Sequence, residues 1–244
     1  MIPFLAALQF LTLSPPLVKR AFTEKELGQA AGFYPLIGAL IGALLYGANY
    51  GLALIVPNTL RAALVLGLWV ALSGALHLDG LLDAFDGILG GFTLEKRLEI
   101  MRDERVGAFG LSAGVILLLV KYSSLSGFPQ SAPVLILIPV LSRGGMTLAV
   151  FAFPYARPAG LGSAVKAHIT WKQVTLATLT ALLAAWICAS WIGLLAVAIT
   201  MLLVWGISIF VLRRIPGLTG DIYGTINEIA EMFLLVIFAA IYFA

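Results

Sequence analysis

Three aspartates at helical spacing are the residues of this chain best suited to chemistry. Asp79, Asp83 and Asp86 lie in residues 77–87, HLDGLLDAFDG. On a helix they fall within about 60° of one another, and carboxylates so close repel. A divalent cation removes that repulsion, and Mg²⁺ prefers hard oxygen ligands, a few carboxylates together with substrate phosphates. The stretch therefore predicts a magnesium site at these three residues, with an acidic helix face at the membrane interface as the alternative.

The neighbours of the aspartates indicate a partly buried site. Leu78, Leu81 and Phe85 surround the stripe, which an entirely solvated helix face would not require. Gly80 and Gly87 lower helix propensity by about 1 kcal/mol each. We expect them to leave room for a bulky nucleotide to approach the backbone.

A second charged stretch, residues 97–110, reads RLEIMRDERVGAFG. Arg102 and Arg105 are three residues apart and can form a fork for phosphate oxygens, because a guanidinium group matches phosphate geometry. The alternation of charge sign is equally typical of a salt-bridged helix outside the membrane.

A third stretch, residues 217–231, contains Asp221, Glu228 and Glu231 within about 80° on a helix that enters the membrane. These acids can complete a metal site from the opposite side of a bundle. Asp86 or Asp221 is the predicted acceptor of the nucleophile's proton.

Arg143 lies in the middle of an apolar run. An arginine at that depth costs at least about 2.5 to 3.5 kcal/mol on insertion scales, so it should face the bundle interior and have a partner. It either contacts substrate phosphate or forms an ion pair with the aspartates for assembly. Lys121, nearer a span end, is expected to snorkel toward the interface.

The elements that must position these residues are membrane helices. The chain is 61% hydrophobic and 11% charged, far less charged than a soluble domain. We predict an all-α fold, a polytopic membrane helical bundle forming one domain over residues 1–244. About seven transmembrane helices are expected at 30–56, 60–78, 108–126, 133–153, 173–189, 191–212 and 229–243. Residues 1–13 are predicted to form an interfacial or re-entrant helix, ended by Pro15 and Pro16.

Most Lys and Arg residues lie in the connections on one side of these spans. The polar connections 14–29, 79–107, 154–172 and 213–228 contain 3, 4, 3 and 2 of the 15 Lys and Arg, which makes 12. The positive-inside rule therefore places this side in the cytoplasm. All 12 Asp and Glu are expected on or near the same face. Their clustering indicates a functional site, although longer cytoplasmic loops alone can collect charge.

Several classes of function are not supported. Neither GxGxxG nor GxxxxGK[ST] occurs, which excludes the nucleotide-binding folds built on those loops. His77 and His168 form no zinc or nucleophile pattern, and the single Cys188 permits no intrachain disulfide. The basic residues follow the membrane topology, so no nucleic-acid partner is expected.

The sequence is similar to the cobalamin synthase family, the adenosylcobinamide-GDP ribazoletransferases. The resemblance covers nearly the whole chain and is specific in the combination of HLDG, MRD and GxFG. It is carried by residues 10–12, 33–38, 77–87, 97–110, 142–143, 157–162 and 217–231.

The resemblance implies a Mg²⁺-dependent transfer in cobalamin biosynthesis. Adenosylcobinamide-GDP is joined to α-ribazole or its 5'-phosphate, with release of GMP. The implied catalytic residues are Asp79, Asp83, Asp86 and Asp221, the first three also binding the metal. The implied substrate-binding residues are His77, Arg102, Asp103, Arg105, Arg143, Arg157, Thr219, Asn227, Glu228 and Glu231. The implied place is the bacterial inner membrane, among membrane lipid, with the site facing the cytoplasm and a homo-oligomer left open.

Two other functions remain as alternatives. CDP-alcohol phosphotransferases of lipid synthesis share Asp-Gly and later aspartates, but the Ala-Arg that follows their first Asp-Gly is missing here. An ion-coupled transporter also uses intramembrane acids and arginine. A conduction path should place polar groups in both leaflets, whereas the acids here are predicted on one side.

Overall fold

The structure is a computed structural model that describes residues 1–243. Over that range the chain is helical, and its one pairing of extended backbone is an isolated bridge between Tyr155 and Leu218. The helices are α1 (Ile2–Leu11), α2 (Glu24–Ala30), α3 (Tyr34–Leu52), α4 (Asn58–Leu72), α5 (Leu76–Gly90), α6 (Leu94–Ile100), α7 (Ala108–Ser126), α8 (Val134–Ala152), α9 (Leu161–His168), α10 (Trp171–Leu212) and α11 (Gly220–Phe243). The predicted all-α fold is confirmed.

Five helical segments in the described residues are long and apolar enough to span a membrane. They are Glu24–Leu52, Ala108–Ser126, Val134–Ala152, Trp171–Leu212 and Gly220–Phe243, and the bent pair α4 and α5 makes a sixth if it is counted as one span. These helices confirm a polytopic membrane bundle.

Helix α10 is a hairpin. Ser190 has a φ of 50°, which interrupts the helix. A Cβ on Gly193 would collide with the carbonyl oxygen of Ala185. In an unbroken helix those residues would be about 12 Å apart. The chain therefore reverses at Ser190, and its two arms correspond to the predicted spans 173–189 and 191–212. If the bent pair α4 and α5 is counted as one span and the two arms of α10 are counted separately, the described residues contain seven spans, the number predicted.

Glycines bring α3 and α8 together. A Cβ on Gly38 or Gly42 would collide with the α8 backbone at Pro139 or Ile136, as small residues in membrane helices permit. Gly47 of α3 makes no such contact, since it has no atom within 4 Å of a built Cβ. Helix α1 ends at Leu11, which agrees with the predicted short N-terminal helix.

A sharp bend separates α4 from α5. Gly74 and Ala75 have φ values of 60° and 55°, and the two helix axes meet at 86°. The predicted span 60–78 is therefore wrong at its C-terminal end, because the left-handed pair ends α4 at Leu72. The aspartate stretch lies inside α5, which packs between α7 and α11, and not in a loop after a span.

Candidate active site

Helix α5 carries the three aspartates from an open cavity into the protein. Asp79 is exposed, Asp83 is half-buried and Asp86 retains 8% of its accessible surface. Side chains at this spacing share one helix face, as the sequence predicted. Because solvent exposure falls from Asp79 to Asp86, the three carboxylates have different surroundings and are not equivalent as ligands.

The Asp86 carboxylate is hydrogen-bonded to the start of α7. One of its carboxylate oxygens accepts the Gly107 N–H at 2.7 Å and the other accepts the Gly110 N–H at 2.9 Å. Both donors belong to the first turn of a helix, where backbone N–H groups lack helical partners and favour a negative charge. This side chain caps α7 and fixes it to α5, and its roles as metal ligand and proton acceptor stay predictions.

Asp79 and Asp83 are different. Within residues 1–243, neither side chain has a hydrogen-bond or ion-pair partner at its carboxylate. The charge of Asp83 is opposed by Asp79, Asp221 and Asp86 and is favoured by Arg157. Like charges held together without a partner cost free energy unless a cation joins them.

Arg157 is positioned by backbone pairing. Ala156 donates its N–H to the Leu218 carbonyl, and Leu218 donates to the Pro154 carbonyl, both at 2.8 Å. Gly217 permits this approach, because a Cβ there would lie 2.6 Å from the carbonyl carbon of Tyr155. The segment before α9 is thus held beside the N-terminus of α11.

The pairing brings Arg157 to Asp221. The Arg157 guanidinium donates to the Asp221 carboxylate at 2.8 Å and to the Met101 carbonyl at 3.3 Å. Thr219 donates to the same Asp221 oxygen at 3.1 Å and accepts the Ile222 N–H at 3.3 Å. Thr219 is fully buried, caps α11 and orients Asp221, and its predicted contact with substrate stays a prediction.

A cavity of about 290 Å³ opens over these groups. Its lining includes His77, Asp79, Tyr155, Arg157 and Asp221. Burial raises the pKa of Tyr155, which lies in the loop outside the spans, so the phenol stays protonated and can donate a hydrogen bond. The cavity therefore combines carboxylates, a guanidinium and a phenol, a set suited to phosphate oxygens and a cation.

Three aromatic lining residues were missing from the predicted site. Tyr34, Tyr155 and Tyr223 all face the cavity, and the rings of Tyr155 and Tyr223 stack with centroids 6.1 Å apart. Tyr34 and Tyr223 lie in stretches that carried the family resemblance, which is the signal that could have found them. Helical spacing alone did not distinguish them from core residues.

The loop after α6 lies at the edge of this site. Asp103 and Arg105 pair with each other at 3.0 Å and are both exposed, as is Arg102. Arg102 is close enough for its charge to act on the Tyr155 phenol. The structure thus brings Arg102 near the cavity, whereas Arg105 is bound to Asp103 and does not form a fork with it.

The predicted acids at the inner part of α11 form a separate buried cluster. Lys121 binds Glu228 at 2.5 Å and Glu231 at 2.7 Å, and Arg143 binds Glu231 at 2.7 Å. Lys121 therefore does not snorkel. Arg143 faces the interior as predicted, but its ion-pair partner is Glu231 and not one of the aspartates. Because two cations neutralise these glutamates, the expectation that they complete the aspartate metal site is wrong.

Glu228 and Glu231 also lie deeper than predicted. Helix α11 begins at Gly220, so the two residues are about 12 and 16 Å along it. They lie inside the long apolar helix Gly220–Phe243 and not at its N-terminal end. Asn227 donates to Glu231 at 3.1 Å and is fully buried. In this structure Asn227, Glu228, Glu231 and Arg143 contact one another or Lys121, and their predicted substrate contacts stay predictions.

His77 lies between the two groups. It lines the cavity, retains 2% of its accessible surface, and its Nε2 atom has no hydrogen-bond partner among the described residues. Arg143, Glu231 and Lys121 all act on its charge. Its predicted role in substrate binding stays a prediction.

Gly80 and Gly87 serve packing. A Cβ on Gly80 would lie 3.0 Å from the Asp221 Cα, and one on Gly87 would lie 2.8 Å from the Arg97 carbonyl oxygen. The space that we expected a nucleotide to use is therefore filled by α11 and α6. These contacts hold the aspartates at a fixed distance from Asp221.

The donor set can be tested against Mg²⁺. Among residues 1–243, no three His, Cys, Asp or Glu side chains converge closely enough to hold a metal by themselves. Mg²⁺ is usually bound through one or two carboxylates and substrate phosphates, with waters retained. The unpartnered pair Asp79 and Asp83 fits that mode, whereas Asp86 does not.

Comparison with known proteins gives a consistent assignment. The family described as Cobalamin-5-phosphate synthase matches residues 3–239. Two relatives named adenosylcobinamide-GDP ribazoletransferase, from Pseudomonas paraeruginosa and Pseudomonas aeruginosa, are 42% identical over 96% of each chain. One of the same name from Pseudomonas syringae is 39% identical over 98% of this chain and 99% of its own. No solved structure matches. The chain belongs to the cobalamin-5-phosphate synthase family.

Proposed function

We propose that this chain is an adenosylcobinamide-GDP ribazoletransferase, the activity in the names of its relatives. It joins adenosylcobinamide-GDP to α-ribazole or its 5'-phosphate and releases GMP. The observation that carries the proposal is the cavity in which the unpartnered carboxylate of Asp79 lies with Arg157 and Tyr155. Asp83, also unpartnered, follows about one turn further along α5. Such a set suits the transfer of a substituted phosphate group.

Arg157 and Tyr155 bind the donor's pyrophosphate. The guanidinium is fixed by Asp221 and Met101 on one edge, and its Nε is unpartnered among the described residues. A preorganised donor of this kind stabilises charge as it develops on the departing GMP. The protonated Tyr155 phenol adds a neutral donor next to it.

Asp79 and Asp83 would hold Mg²⁺. When bound, the cation supplies a positive charge for phosphate oxygens, which lowers the barrier of phosphoryl-type transfer. The two side chains contribute the hard oxygens, and their mutual repulsion favours binding of the cation. Neither residue has to move away from another partner first.

Asp221 accepts the proton of the attacking α-ribazole 3'-hydroxyl. Of the two acceptors predicted from the sequence, Asp86 is bound to the α7 N-terminus by both oxygens. Asp221 lines the cavity and has one oxygen free of the Arg157 and Thr219 contacts. A general base must lie within hydrogen-bond reach of the proton that it removes.

The proposed location is the bacterial inner membrane with the cavity open to the cytoplasm. The loops around the cavity belong to connections that contain 12 of the 15 Lys and Arg, the sign expected of the cytoplasmic side. Nucleotide substrates are found in that compartment. A reporter fused after residue 243 that is active only in the cytoplasm would contradict this orientation.

The experiment is a GMP-release assay with purified protein in detergent. Adenosylcobinamide-GDP is supplied with α-ribazole or its 5'-phosphate, and both GMP and the joined product are quantified. We expect equal amounts of the two products, and none when Mg²⁺ is removed by chelation. Release of CMP from CDP-diacylglycerol instead would support lipid synthesis, and vesicle transport of label without GMP would support the transporter alternative.

A further inference from the structure

An apolar groove lies on the side of α5 that faces away from the aspartates. It has a volume of about 270 Å³ and is formed by α5, the second arm of α10 and α11. Ala84 and Ile88 of α5 line it, and their positions on the helix are roughly opposite to Asp79 and Asp83. The groove is therefore separate from the catalytic cavity.

The groove is open at Gly206, which is exposed. Gly206 lines it, and a Cβ built there would have no heavy atom within 4 Å. From Gly206 the lining continues along α10 to Phe210 and Val211, near the helix end. The groove therefore runs from the apolar part of the bundle at Gly206 toward the polar loop that follows α10.

Two arginines stand at the polar end of the groove. Arg213 and Arg214 follow directly after α10, and the Arg214 guanidinium lies 3.7 Å from the centre of the Phe210 ring. Among residues 1–243 neither arginine has a carboxylate within ion-pair distance. Arg97 donates to the Arg214 carbonyl at 3.0 Å and adds further positive charge.

We infer that the groove binds one acyl chain of an anionic phospholipid whose phosphate is held by Arg213 and Arg214. Charge complementarity selects this occupant. The arginines lie at the level of lipid headgroups in the leaflet that positive residues mark as cytoplasmic, and basic pockets at helix ends bind anionic headgroups. The adjoining space is apolar and extends away from them, as an acyl chain does.

Native mass spectrometry of the purified, delipidated protein tests the inference. The probes are phosphatidylglycerol and phosphatidylcholine with the same acyl chains, and inorganic phosphate. We expect one phosphatidylglycerol to bind in preference to phosphatidylcholine, and inorganic phosphate not to displace it. Equal binding of the two lipids would overturn the proposal, as would displacement by phosphate, which would indicate a site for the free anion.

Variants separate the two parts of the site. Replacing Arg213→Gln and Arg214→Gln should weaken phosphatidylglycerol binding by about fivefold for each arginine, the contribution of a basic residue near an anionic surface. Gly206→Leu fills the groove without a clash and should reduce binding although both arginines remain. Gly67→Leu is the matched control, since Gly67 on α4 also meets nothing within 4 Å. Unchanged binding by either test variant would refute the site.

Discussion

The cavity and the buried cluster use the same kinds of residue to opposite effect. In the cluster, Lys121 and Arg143 neutralise Glu228 and Glu231 at hydrogen-bond distance, out of contact with water. Asp79 lines the cavity and Asp83 lies about one turn further along α5, and neither has a partner among the described residues. A buried charge must be paired to be tolerated, whereas a charge kept unpaired beside a cavity is free to bind a ligand. Acidic residues alone therefore do not mark the active site.

The largest effect is expected from Asp83→Asn. Loss of a carboxylate that binds the cation should lower turnover by about a hundredfold or more, since several kcal/mol of charge stabilisation is lost. GMP release is measured across a Mg²⁺ titration, with Glu95→Gln on exposed α6 as the control. Partial recovery at high Mg²⁺ would sharpen the assignment, and near wild-type rates at ordinary Mg²⁺ would remove Asp83 from the site.

The next largest effect concerns the cluster. Glu231→Gln leaves Lys121 and Arg143 short of negative charge and should destabilise the fold by about 3 to 5 kcal/mol. Unfolding in detergent reports this loss. The double variant Glu228→Gln with Lys121→Met removes a pair together and should lose less. If the single change costs nothing, the cluster does not stabilise the bundle.

A smaller loss is expected for Arg157→Lys. The lysine keeps the charge but cannot hold Asp221 and the Met101 carbonyl together, because only the guanidinium offers several fixed donors. A charged hydrogen bond contributes about 1.5 to 3 kcal/mol, so turnover should fall about 10- to 100-fold. Lys166→Arg in α9 is the control for a loop charge. A change limited to unfolding stability would make Arg157 a structural residue only.

The smallest effect is expected for Arg105→Ala. Its exposed pair with Asp103 contributes less than about 1 kcal/mol, so the unfolding transition should not move. Because Arg105 adds positive charge to the loop at the edge of the site, its loss should raise the KM for adenosylcobinamide-GDP severalfold with kcat unchanged. Glu104→Gln provides the comparison. An unchanged KM would indicate that the charged residues of this loop only form salt bridges with one another and do not bind substrate.

The family, the transferase class and the membrane helices followed from the sequence, because apolar runs and a specific set of short motifs are local signals. The functions of the individual acidic residues did not follow from the sequence. Asp86 and Asp83 look equivalent on one helix face, yet only the packing of α7 shows that Asp86 is a cap. Glu231 was assigned to the site because its partners, Lys121 and Arg143, are distant in sequence.

The bend between α4 and α5 was also beyond local reasoning. Gly74 suggests an interruption, but the left-handed Ala75 beside it depends on tertiary context. The hairpin in α10 was predicted correctly as two spans because its length exceeds one crossing of the bilayer. Its turn at Ser190 carries no strong turn residue in the sequence.

The most direct test is a paired measurement on two isosteric changes, Asp83→Asn and Glu231→Gln. Turnover per folded molecule and the unfolding midpoint are determined for both variants in the same detergent. Asp83→Asn should lose turnover while its unfolding midpoint stays equal or rises, since a repulsion is relieved. Glu231→Gln should lower the midpoint and leave turnover per folded molecule within a few-fold of the unmodified protein. The reverse pattern, or loss of both properties in both variants, would contradict the division between a catalytic cavity and a structural cluster.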